Sequence, residues 1–178
     1  MIYESVYWKE PLLGAAKWLR SVRISERTRE STFVRIEKEV FVGFYSIRKL
    51  LDTLHISDST KKVKYELTWF PKLQNSKPVD LLNWHKLEHL YDMSRENKEK
   101  RDIQYLCNQF IHSYVFMVCA ENRISGFFVV SDRLRNKKLY YVPLSDVLHA
   151  FRLVGHNYPT NVSLSRNPST GEMRGFAL

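Results

Sequence analysis

From Phe33 to Leu54 the apolar residues fall at Phe33, Ile36, Val40, Phe44, Ile47, Leu51 and Leu54, steps of three and four that trace one helical face. Phe41, Tyr45 and Leu50 widen that stripe, so this helix, read from about residue 25 to 54, packs on more than one neighbour. The lone Gly43 inside it permits a close approach by a neighbouring element. The same stepping recurs between Arg101 and Ala120. Ile103, Leu106, Cys107, Phe110, Tyr114, Met117 and Val118 share one face, and Arg101, Tyr105, Asn108 and His112 lie opposite. This spacing predicts a second long helix, with a core face and a polar, aromatic face free to meet a ligand or partner. Shorter helices are expected over residues 12–22 with Pro11 in the first turn, over 81–92 capped by Asp80, and over 146–154 capped by Ser145 and closed by Gly155.

Elsewhere the period changes to two. Val63, Tyr65, Leu67 and Trp69 alternate with Lys62, Lys64, Glu66 and Thr68, the signature of a half-buried strand that Pro71 ends. Phe127-Phe128-Val129-Val130 is a continuous apolar run suited to a strand buried on both faces, and Leu139-Tyr140-Tyr141-Val142 is its natural hairpin partner. Residues 162–166 and 172–176 flank Asn167-Pro168-Ser169-Thr170-Gly171, a good turn for a last hairpin. The predicted class is α+β: an N-terminal helical bundle followed by a small antiparallel sheet. A helical region over 1–121, with one strand near 62–70, precedes a β-rich region over 122–178 packed on it.

The charge narrows the partners. Lys and Arg outnumber Asp and Glu by 28 to 19, a net charge of +9, which favours nucleic acid or another acidic partner. Arg133, Arg135, Lys137 and Lys138 crowd the tip of the predicted hairpin, with Tyr140 and Tyr141 beside them, so cations and stacking rings lie together. No stretch approaches the ~20 apolar residues of a membrane span, and the N-terminus shows no secretory pattern. Cys107 and Cys119, about 18 Å apart along one helix, would stay unbonded, which suits a reducing, cytoplasmic setting.

His85-Lys86-Leu87-Glu88-His89 matches H-x-x-E-H, an inverted zinc-hydrolase pattern that needs both histidines on one helical face and a third ligand. Its downstream carboxylates, Glu96, Glu99, Glu121 and Glu172, occupy no recognisable setting. A structural helix is therefore expected there, with no metal and no cofactor.

Asn108-Gln109-Phe110-Ile111-His112 resembles the end of the R-N-x-x-x-H motif of the higher eukaryote and prokaryote nucleotide-binding (HEPN) domains. The resemblance covers residues 25–120. It implies a compact helical bundle, often dimeric, and a role as a metal-independent ribonuclease or as an RNA- or nucleotide-binding module in defence or toxin–antitoxin assemblies. Asn108 and His112 match the motif, and Cys107 stands where the arginine belongs. A neutral thiol supplies no charge to a phosphate, so the resemblance implies binding without cleavage. If cleavage occurs, His112 is the expected general acid or base, and Arg101 or Arg48 must stabilise the transition state. The expected site is Asn108 and His112, extended by Arg101 and Tyr105 and by Arg133, Arg135, Lys137 and Lys138. The alternative is a protein-interaction module in which Tyr105, Asn108, His112 and Phe116 form a dimer or partner interface.

Overall fold

A strand that is apolar on both sides needs cover on both, and the chain supplies it. The computed structural model describes residues 2–178. Its elements are α1 (Val6–Ser21), α2 (Glu30–Leu51), one-turn α3 (Asp58–Lys61), β1 (Lys64–Pro71), one-turn α4 (Leu87–Leu90), β2 (Asn97–Asp102) and α5 (Ile103–Ile111). There follow β3 (Ser113–Ala120), β4 (Ile124–Ser131), β5 (Lys138–Pro143), α6 (Leu144–Gly155), β6 (Val162–Arg166) and β7 (Met173–Ala177). The fold is α+β. Two N-terminal helices lead into a five-stranded sheet ordered β2-β1-β5-β4-β3, with every neighbouring pair antiparallel and helices interspersed. β6 and β7 form a separate two-stranded antiparallel sheet.

On one sheet face Tyr65, Leu67, Phe127, Val129, Tyr140 and Val142 are buried against the helices. Phe44 of α2 stacks on Phe110 of α5 at 4.1 Å and meets Phe151 of α6 edge-on at 5.3 Å. Gly43 lies under that Phe151 ring, where any Cβ would overlap it, so the close approach expected at this glycine is real. On the other face Phe70, Val115, Val130 and Leu139 are buried beneath Val79, Leu87, Leu90 and Tyr91 from the excursion between β1 and β2. The paired strands 127–130 and 139–142 form as expected, with Phe127 opposite Val142 and Phe128 opposite Tyr141.

α1 is clamped by a buried cation. Lys9 is 1% exposed, and its Nζ donates to the carbonyls of His55 (2.8 Å) and Asn157 (2.6 Å). Tyr158 covers the ammonium at 4.1 Å. Burial lowers the Lys9 pKa against a weaker opposing pull from Glu4.

Several expectations give way. The helix expected over 101–120 stops at Ile111, and Ser113–Ala120 is a strand. Tyr114-Val115-Phe116-Met117-Val118 is rich in β-favouring residues, and pairing with β4 decides the outcome. Residues 25–120, read as helical apart from one strand near 62–70, hold three strands: β1 lies where that strand is expected, and β2 and β3 are additional. The boundary read at residue 122 lies in the turn of the β3–β4 hairpin, and the sheet takes strands from either side of it. The helix expected over 81–92 shrinks to α4, and Asp80 caps only a turn, accepting from the backbone N–H groups of Leu82 and Asn83. α1 starts earlier than expected, at Val6, and takes Pro11 inside it. α6 starts at Leu144 after Pro143, so Ser145 lies within it and is not its cap. No helix among the described residues is long and apolar enough to cross a membrane.

Candidate functional site

α5 is short but well anchored. The Asp102 carboxylate accepts from the Tyr105 backbone N–H at 2.7 Å, satisfying a free donor of the first turn. Ile103, Leu106, Cys107, Gln109 and Phe110 are buried, which turns Tyr105 and Asn108 outward. His112 terminates the helix, exposed, with its carbonyl accepting from the Asp132 N–H at 2.9 Å. That bond draws the β4–β5 loop against the helix end. Gln109 adds a second tie, its Oε1 accepting from the Ser131 N–H at 3.2 Å.

The result is a cleft of about 760 Å³ lined by Arg101, Tyr105, Asn108, His112, Arg133 and Lys138. The polar row expected on one long helix is thus assembled from the end of β2, from α5 and its cap, and from the β4–β5 connection. The basic tip divides. Arg133 and Lys138 face the cleft, whereas Arg135 stacks over Tyr114 at 3.8 Å and pairs with Asp132 at 2.9 Å. Lys137 lines a separate hollow with Lys72 and Asn136. The expected stacking rings are elsewhere too: Tyr140 is fully buried, and Tyr141 packs on Phe128 at 5.4 Å.

Beneath the cleft lies Glu99, which the sequence pattern did not single out. It accepts from Arg101 (2.9 Å), Lys138 (2.8 Å) and the Tyr140 hydroxyl, and that hydroxyl lies 2.6 Å from the Tyr105 hydroxyl. Burial opposes the charged carboxylate, but the three donors outweigh it and hold the Glu99 pKa at about 2. Burial first, then the bonds to Glu99 and Tyr105, push the Tyr140 hydroxyl far up. The Arg101 guanidinium covers the Tyr105 ring at 4.7 Å, and its buried Nε meets no acceptor among the described residues. In the sequence Glu99 is one of many charges between Asp92 and Asp102, and no spacing marks it out.

Cys107 points away from the cleft into the core, and burial raises its pKa strongly. Arg48, the other arginine considered for charge stabilisation, lies 2.5 Å from Asp52 and does not line the cleft. Phe116, expected on the interface face, instead packs on Phe41 (4.7 Å) and Phe127 (5.5 Å). His85, Glu88 and His89 are exposed around a one-turn helix that does not align the two histidines on a regular face. Among the described residues no three His, Cys, Asp or Glu side chains gather as a metal site. No protein-family model, curated protein or solved structure matches this chain.

Proposed function

We propose that the α5 cleft binds single-stranded RNA or a nucleotide without cleaving it. The observation that carries this reading is the convergence of Arg101, Tyr105, Asn108, His112, Arg133 and Lys138 on one cleft. Among the described residues Arg133 forms no ion pair, and Arg101 offers a flat guanidinium backed by an aromatic ring, a surface on which an unstacked base can rest. Asn108 and His112 supply donors and acceptors for base edges or phosphates. The reading rests on this geometry and not on the HEPN resemblance.

Binding rather than turnover follows from how the groups are committed. Among the described residues His112 is the one imidazole lining the cleft. Arg101 is held by Glu99, and Asp132 by Arg135. The thiol at position 107 is sealed in the core. The two free cysteines suit a reducing compartment, and we place the protein in the cytoplasm on that ground. Of the residues in the interface alternative, Phe116 is half-buried against the core, apart from Tyr105, Asn108 and His112 in the cleft.

The test is titration of labelled single-stranded RNA at low salt with the wild type and with Arg133→Ala and Asn108→Ala/His112→Ala. The expected result is a Kd on the order of micromolar, weakened about tenfold by either change. Absence of RNA binding, or equal affinity in all three proteins, overturns the reading. RNA cleavage that His112→Ala abolishes overturns its non-catalytic part.

A further inference from the structure

At the other end of β4 lies a second basic cleft. The chain reaches β4 through Asn122 and Arg123, and Arg123 forms an isolated antiparallel bridge with Arg23, just beyond α1. The neighbouring Ile24 N–H donates to the Asn122 carbonyl at 3.0 Å, which fixes the two arginines opposite each other. Like charges held directly across a bridge repel. The fold adds to that repulsion instead of relieving it. Lys17 and Arg20 arrive from the last turns of α1, and Arg152 and His156 from the end of α6. The cleft measures about 660 Å³, and among the described residues no carboxylate lines it. None of its five Lys and Arg side chains forms a salt bridge among the described residues.

Two features separate it from the α5 cleft. First, β4 spans eight residues, so the two lie roughly 23 Å apart at about 3.3 Å per residue. Second, its remaining lining is Leu13 and Ser21, with no phenyl, phenol or indole ring on which a base could stack. Its size is that of a small-molecule site, and its chemistry is that of a concentrated anion receptor. Arginine forks match phosphate oxygens in pairs, and four of the five cations are arginines.

We propose that this cleft binds the phosphate chain of a small polyphosphorylated ligand, free polyphosphate or a nucleoside polyphosphate. The site reads the phosphates and leaves any base in solvent. Several phosphates bound together neutralise the Arg23–Arg123 pair and bridge α1 to α6. The ligand therefore links helices at opposite ends of the chain.

Calorimetric titration of the full chain at constant ionic strength tests this, with inorganic tripolyphosphate, ATP, sulfate and single-stranded RNA as separate probes. Tripolyphosphate is expected to saturate one site with a Kd of about 10–100 µM. Arg123→Gln and Arg20→Gln should each weaken it about tenfold or more, while Arg133→Gln in the α5 cleft leaves it unchanged. Comparable affinity for ATP supports a site that reads the phosphates alone, whereas ATP binding much tighter than tripolyphosphate overturns that reading, because the nucleoside is then in contact. No saturation below millimolar tripolyphosphate, or sulfate competing at equal concentration, overturns it. So does loss of tripolyphosphate binding in Arg133→Gln. RNA affinity that depends on Arg123 while tripolyphosphate affinity does not also overturns it, because the occupant is then a nucleic-acid backbone. Loss of RNA binding alone would fail the α5 reading and leave this site standing.

Discussion

Glu99 is a single carboxylate facing three donors, and its side chain is only 20% exposed. Its folded pKa of about 2 lies below the ~4.3 of an unfolded glutamate. It therefore adds stability that is present above pH ~4.3 and is lost as pH falls through about 2. Glu99→Gln should lower stability by about 1–3 kcal/mol at pH 7 and by progressively less toward pH 2, read from denaturant midpoints across that range. A pH-independent difference would show that packing, not charge, is at stake. Gly43 makes an opposite kind of demand. Alanine there gains up to about 1 kcal/mol of helix propensity but drives a methyl group into the buried Phe151 ring. Overpacking of that kind costs about 1–3 kcal/mol, so Gly43→Ala should lower the thermal midpoint of unfolding. An unchanged or higher midpoint would mean that Phe151 yields freely.

Among the elements, α2 and the β4–β5 and β6–β7 hairpins are legible from pattern alone, because burial on a fixed set of faces imposes the period. β3 is not legible for the same physical reason. Its residues face apolar layers on both sides, so Tyr114 to Val118 shows no polar–apolar alternation, and the chance stepping of Ile103 to Met117 reads as helix. β2 fails from the other direction. Asn97-Lys98-Glu99-Lys100-Arg101-Asp102 has no apolar residue, and its strand form comes from pairing with Lys64 to Trp69. Such charge on a sheet edge also discourages edge-to-edge association. The candidate residues of α5 were legible because a short helix keeps the same outward row as a long one. Glu99 and the Arg23–Arg123 pair were not, since their neighbours are distant in sequence. The split of the β4–β5 tip leads to a prediction about salt. Arg133→Ala should reduce the slope of log affinity for RNA against log salt by about 1, and Lys137→Ala should leave it unchanged. Equal effects in salt-dependent titrations would place both side chains on the ligand.

At the scale of the whole molecule, Lys9 joins three distant segments. Lys9→Met keeps the length of the side chain but leaves the His55 and Asn157 carbonyls without their donor. The expected cost is about 2–4 kcal/mol, measured by chemical denaturation. Tryptophan fluorescence and far-ultraviolet circular dichroism should still trace one coincident transition, since α1, α2, α5, α6 and the sheet share a core. Separate transitions would show that the helices and the sheet unfold independently.

The order in which a ribosome releases this chain does not follow the order in which its parts meet. α1 packs chiefly on α6, and β1 needs both β2 and β5 to lie within the sheet. Residues 6–21 are made long before residues 144–155. At about 5–20 residues per second, the apolar face of Leu12, Ala16 and Leu19 spends roughly 6–25 s of translation without its final partner. The meander of β3, β4 and β5, whose contacts are local, can assemble as it emerges and serve as the template on which the earlier segments close.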